Sequence, residues 1–190
     1  MYWILSNELV DEDEDADLTG DFSTDLGENI RFDNGELIND TPKSCTYTLT
    51  EKLQGNLTDN LSIDEISGLV WSNRLCDLAE ELKITNLQFF DLKIIDPFTG
   101  NSYSDYKVVN IVGAVDCIDF EESELEFYDD GDVEFIDKLA LDEEKIPLDM
   151  DIFRLEKDMT DVVLSDKLKK AIDYNDITGC ALYRVDKYQM

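Results

Sequence analysis

Carboxylates are the only reactive groups this chain carries in quantity: 46 Asp and Glu stand against 16 Lys and Arg, with no histidine. A carboxylate can act as a general acid or base, hold a hard cation, or recognise a basic surface, and its setting decides which. Cation binding by the run Asp11, Glu12, Asp13, Glu14, Asp15 and Asp17 fails on spacing. A calcium loop starting at Asp11 needs glycine at its sixth place and glutamate at its twelfth, where the chain has Ala16 and Phe22. The run then reads as a solvated loop or a docking surface. Motifs for a nucleophile or a phosphate are missing as well: there is no G-x-S-x-G, no G-x-x-x-x-G-K and no G-x-G-x-x-G. Among so many acids, carboxylate pairs arise by chance, so the chain reads as a non-enzyme with no catalytic residue. Cys45, Cys76, Cys117 and Cys180 are widely spaced and have no histidine to complete a common zinc set. They read as small, reduced core residues, and neither a metal site nor a cofactor is expected.

The carboxylates left to explain run from Asp116 to Glu134, ten acids with no Lys or Arg among them. Glu121, Glu122, Glu124, Glu126, Asp129, Asp130, Asp132 and Glu134 are the candidate partner-binding residues, because Leu125, Phe127, Val133 and Phe135 are interleaved with them. Such alternation aims apolar side chains at a sheet and carboxylates at water, with Asp129-Asp130-Gly131-Asp132 as a turn. Acids fixed by a sheet lose less conformational entropy on binding than acids on a loose tail, which favours this segment over Asp11 to Asp17. The plain alternative is the solvated face of an edge strand, whose charge discourages aggregation.

The elements that must hold this array are short. Tyr2 to Leu5 read as a first strand. Gly20 to Leu61 read as loops joining short strands, with apolar islands at Ile30 to Phe32, Leu37 to Ile38 and Tyr47 to Leu49. Ile63 to Leu69 read as a turn of helix. Phe89 to Ile95, the turn Asp96 to Asn101, and Tyr106 to Val115 give the strongest hairpin signal, with Pro97 and Gly100 placed for the turn. Val108 to Val115 is apolar at nearly every position, as in a strand covered on both faces. Leu139 with Leu141, and Ile152, Phe153 and Leu155, read as further strands.

Sliding the chain on itself by 93 positions lays Val70, Ser72, Leu75, Ile84 and Thr85 on Val163, Ser165, Leu168, Ile177 and Thr178, and Arg74 on Lys167. Each copy has a serine fit to cap a helix, about ten helical residues with an apolar stripe, a turn and a strand. Two ordinary helix-strand units or a duplication both account for this. The whole pattern predicts an α+β fold, mainly antiparallel sheet with a few short helices packed against it. The expected division is an acidic, loop-rich lobe over 1–60 and an α+β core over 61–190.

At 43% hydrophobic the chain can bury a substantial core, and a net charge of -30 disfavours nucleic acid and anionic membrane while favouring a basic protein partner. The start of the chain lacks a basic segment and a long apolar one, and no apolar run is long enough to span a bilayer, which predicts a cytoplasmic protein.

Phe89-Phe90-Asp91-Leu92, Asp105 to Gly113, Val115 to Asp119, Asp151 to Leu155, Leu164 to Leu168 and Ile177-Thr178-Gly179 follow one another in an order that resembles the bacterial polymorphic-toxin immunity family numbered eleven. The resemblance covers Leu69 to Tyr188. It implies a cytosolic protein encoded next to a toxin, which it binds and neutralises, and it carries over no catalytic residue. Combined with the acidity, it predicts a stoichiometric inhibitor of a basic, nuclease-like toxin. An acidic, non-catalytic adaptor or assembly protein for another basic partner is the alternative.

Overall fold

The structure, a computed structural model of the chain, describes residues 1–6, 10–11, 14–27, 30–63, 65–129, 131 and 133–188. In chain order the elements are β1 (Tyr2–Ser6), β2 (Asp17–Leu18), β3 (Gly20–Thr24), β4 (Cys45–Leu49), β5 (Asn60–Ile63), β6 (Leu69–Ser72), α1 (Asn73–Glu81), β7 (Leu87–Asp96) and β8 (Asn101–Ile111). They continue with β9 (Ala114–Val115), β10 (Glu124–Phe127), β11 (Val133–Lys138), β12 (Ile152–Leu155), β13 (Asp158–Ser165), α2 (Asp166–Tyr174) and β14 (Ala181–Arg184). One sheet has the order β14-β1-β13-β12-β9, a second the order β2-β5-β6-β8-β7-β4-β3, and β10 pairs with β11 alone. Parallel pairing is confined to β12 with β9, β2 with β5 and β4 with β7 among the described strands. The fold is therefore α+β and mainly antiparallel sheet.

Alternation along the strands sorts the apolar residues into three cores. One face of the seven-stranded sheet buries Tyr47, Val70, Phe90, Leu92, Ile94 and Val108 with Phe32. The opposite face turns Trp71, Val109 and Ile111 towards Leu5, Ile152, Val162 and Leu164 of the five-stranded sheet, with Leu75 and Leu78 of α1 and Leu168 and Ile172 of α2 in the same core. The third core lies on the far face of the five-stranded sheet, where Ile4, Phe153, Leu155 and Val163 meet Val133, Ile136 and Leu139 of the β10–β11 region. Residues 1–60 supply β1 to the interior of the five-stranded sheet and β2, β3 and β4 to the seven-stranded one.

The two helix-strand units are one structure used twice. Ser72 Oγ accepts from Leu75 N at 3.2 Å and Ser165 Oγ accepts from Leu168 N at 3.2 Å, so both serines cap as their sequence positions predict. Both helices end on a non-glycine residue in the left-handed region, Lys83 and Asp176, which the 93-residue offset superposes. The sheet register obeys the same offset. In the first unit β8 lies between β6 and β7 and sets Lys107, Val108, Val109 and Asn110 opposite Asp91, Phe90, Phe89 and Gln88. In the second β1 lies between β13 and β14 and sets Trp3, Ile4, Leu5 and Ser6 opposite Arg184, Tyr183, Leu182 and Ala181. Each residue of that second series lies 93 positions beyond its counterpart in the first, and a hairpin, β5–β6 or β12–β13, precedes each helix.

The units also grip each other reciprocally. Arg74 of α1 donates to the carbonyl of Asn175 at the end of α2, and Lys167 of α2 donates to the carbonyl of Leu82 at the end of α1, at 3.4 Å. An aspartate anchors each helix start. Asp59 accepts from Ser72 Oγ at 2.6 Å and from Arg74 at 3.1 Å, and Asp151 accepts from Ser165 Oγ at 2.6 Å and from Lys167 at 2.5 Å. Asp59 additionally accepts from the backbone N–H and hydroxyl of Thr178, at 3.0 and 3.1 Å, which ties the first unit to the second.

Three expectations need correction. Ile63 to Leu69 is not a helical turn: among its described residues the chain leaves β5, bends and enters β6, with Phe32 N donating to Ser67 O at 3.0 Å and Gly68 lying where a Cβ would strike the Phe32 side chain. Tyr106 to Val115 is not one strand. β8 stops at Ile111, and Gly113, at φ +90°, turns the chain so that Ala114 and Val115 join the other sheet beside Arg154 and Leu155. Leu139 and Leu141 share no strand either. β11 ends at Lys138, and Leu141 makes only an isolated bridge to Ile118.

Candidate functional site

The acidic segment is a hairpin set on the third core. Asp119 organises its entry: its Oδ1 accepts from the backbone N–H groups of Glu121 and Glu122, at 3.0 and 3.2 Å. Ser123 then fastens the segment to the body by exchanging hydrogen bonds with the N–H and carbonyl of Ala140. On the far strand, Val133 N donates to Lys157 O at 3.0 Å, and Ile136, fully buried, roots β11 in the core. On this anchored backbone Glu121, Glu122, Glu124, Glu126, Asp129 and Glu134 are all exposed. Asp130 and Asp132, from the same proposed array, lie outside the described residues.

The alternation that predicted an inward apolar face does not survive. Leu125 opposes Ile136 on the buried side, but Glu126 opposes Phe135, and register shifts interrupt the ladder between Glu124 and Leu125 and between Glu126 and Phe127. A bulge adds a residue on one strand and re-aims those that follow. Both added residues fall on β11, so Phe135 is turned beside Glu126 and is 39% exposed, while Phe127 keeps its place opposite Val133 at the end of the hairpin and is 47% exposed, where the sequence pattern placed both against a sheet. Phe120 and Tyr128 are at least half exposed too, and the rings of Phe120 and Phe127 contact each other at 6.1 Å between centroids. Sequence reasoning missed these aromatics as surface groups; the signal available was the density of acids around them, too high for a buried face.

The rival acidic run is held differently. Asp15 pairs with Asn56 in an isolated bridge, and Asn56 N donates to Glu14 O at 2.7 Å. Glu12 and Asp13 lie outside the described residues.

Two further ionisable groupings bear on chemistry. Burial pushes the thiols of Cys76, Cys117 and Cys180 up to about 12 and that of Cys45 to about 11, which keeps them protonated and unreactive. Beneath the β12–β13 turn, Arg154 is buried, donates to the carbonyls of Met159 and Thr160, and leaves its Nε without a partner. Asp158 and Asp161 beside it each keep one buried oxygen without a donor. Burial, and then the charge of Asp158, raise Asp161 to about 7, although Tyr188 donates to it at 3.0 Å. Among the described residues no group of three or more Cys, Asp or Glu side chains is arranged to hold a metal ion. No helix among them is long and apolar enough to cross a membrane.

Fold and composition together define an acidic α+β protein built mainly of antiparallel sheet, with a cluster of exposed acids on its β10–β11 hairpin. The family model described as Immunity protein family (Imm11) matches residues 6–187, and the chain belongs to that family. Membership assigns it a role in immunity to a protein toxin, generally exercised without catalysis. No curated protein matches the chain.

Proposed function

We propose that the protein neutralises its toxin by stoichiometric binding, and that the toxin is basic and nuclease-like. The acids of the β10–β11 hairpin, Glu121, Glu122, Glu124, Glu126, Asp129 and Glu134, with Asp130 and Asp132 of its turn, are the docking residues on this reading. The observation that carries it is the anchoring of the array: exposed carboxylates on a backbone fastened at Ala140, Lys157 and the third core. An enzyme that cuts nucleic acid needs a cationic cleft, and fixed carboxylates attract such a cleft over long range and stand where phosphates would. The protein acts in the cytoplasm on this reading, where its four unpaired cysteines stay reduced.

The test replaces Glu122, Glu124, Asp129 and Asp130 together by Lys and measures association with the purified toxin encoded beside this chain's gene. Loss of steering lowers the association rate by about tenfold or more at low salt and flattens its salt dependence. Protection of cells from the toxin is lost with it. An unchanged rate and full protection refute the docking site, and the same exchange at Asp11, Asp13 and Asp15 then tests the other acidic run.

A further inference from the structure

We infer that Phe120, Phe127 and Phe135, with Tyr128, form the apolar anchor of the docking surface and set how long the toxin stays bound, while the surrounding acids set how fast it arrives. This rests on the immunity reading and adds to it a second kind of contact, made by residues that the charge pattern does not select.

The aromatics are exposed by construction. Val133, Ile136 and Leu139 belong to the third core, which none of the four aromatics joins; the register shift sets Phe135 beside Glu126, and Phe127 lies opposite Val133 at the end of the hairpin. Exposed aromatics on an isolated two-stranded sheet cost solubility and invite aggregation, so an unpartnered face of this kind reads as one that is covered in use. Phe120 and Phe127 are already packed against each other, so little side-chain freedom is lost when a partner covers them.

The acids around these rings define the occupant. Glu121, Glu122, Glu126, Asp129 and Glu134 border the aromatics closely in sequence, and all are exposed. Aromatic side chains inside a charged rim match the anatomy of a protein interface, where a few buried rings carry most of the binding energy. A cationic protein surface complements this rim, and its guanidinium groups can lie over the rings while pairing with the carboxylates. A second copy of this chain, with the same charge of -30, would meet like charge across the same face.

The experiment compares two variants against the purified toxin encoded beside the gene, kept inactive by mutation, using surface plasmon resonance at two salt concentrations. The first carries Phe120→Ala with Phe127→Ala, and the second carries Tyr128→Ala with Phe135→Ser. Circular dichroism and melting confirm that each folds; the second removes only exposed side chains should the first be destabilised. The expected result is a dissociation rate raised at least tenfold, with the association rate and its salt dependence unchanged. An unchanged dissociation rate overturns the inference, and the immunity reading survives if the acid-to-Lys variant still slows association. If neither the aromatic nor the acidic variants alter binding, the hairpin is not the docking site at all. If sedimentation shows that the aromatic changes convert a dimer of this chain to monomer, the occupant is a second copy and the inference is overturned.

Discussion

Asp59→Ala offers the sharpest test of how the two repeated units hold together. The carboxylate accepts from Ser72 Oγ, Arg74, Thr178 N and Thr178 Oγ1, and Asp59 itself is only 8% exposed. Alanine leaves the two hydroxyls and the Thr178 N–H without their acceptor, at about 1–2 kcal/mol each, the hydroxyls less where they can rotate to another partner. Arg74 is half exposed and rehydrates, so its ion pair adds under about 1 kcal/mol. The expected loss is about 3–5 kcal/mol, which for a chain of this length lowers the melting temperature by about 10 °C. Asp151 is the built-in control. It occupies the same place in the second unit but, among the described residues, accepts side-chain hydrogen bonds only from Ser165 and Lys167, and Lys167 is exposed, so Asp151→Ala should cost about 1–2 kcal/mol. Urea unfolding followed by circular dichroism measures both. A loss below about 1 kcal/mol at Asp59, or an equal loss at Asp151, would refute the argument that Thr178 makes Asp59 the clasp between units.

Two other outcomes follow from the geometry. Asp161 has a folded pKa of about 7, above the ~3.9 of an unfolded aspartate, so the folded state holds its proton more tightly and stability falls as pH rises from about 4 to about 7, then levels. Asp161→Asn should remove that slope, and urea midpoints that track the parent protein across this range would show the slope to come from elsewhere. Gly179→Ala should be far more damaging than Gly100→Ala: both glycines have positive φ, costing about 1–2 kcal/mol each, but only at 179 would the new methyl overlap Asn60 O and Thr58 Oγ1. Equal melting temperatures for the two variants would contradict this packing.

What could be read from the sequence was whatever local chemistry decides. Ser72 and Ser165 cap helices because a hydroxyl reaches an N–H three residues on, and the turn at Pro97 and Gly100 closes a hairpin whatever surrounds it. The repeat was visible for the same reason, since caps and helix stripes recur at fixed spacing. The third member of each unit was not visible. β8 follows β7 directly, whereas its counterpart β1 comes from the opposite end of the described chain, so the similarity breaks in sequence where it continues in space. Ile63 to Leu69 failed because its partner lies far along the chain: Phe32 N donates to Ser67 O, and the Phe32 side chain stands where a Cβ on Gly68 would be. At the candidate site the exposed acids were legible from charge alone. The outward turn of Phe135 was not, because a bulge depends on how two strands register and leaves the alternation of residue types intact.

The position of β1 also orders events in time. Tyr2 to Ser6 pair on one side with Val162 to Ser165 and on the other with Ala181 to Arg184, residues made roughly ten to thirty seconds later at ribosomal speeds. The seven-stranded sheet draws all its strands from residues between Asp17 and Ile111, so it can assemble while the rest is still being synthesised. Its inner face, with Trp71 and Ile111 beside α1, then waits uncovered for α2 and the second sheet. Until α2 and the second sheet are made, that face has nothing from the second unit to cover it. A chain cut short before α2 therefore lacks not a peripheral lobe but the lid of that core.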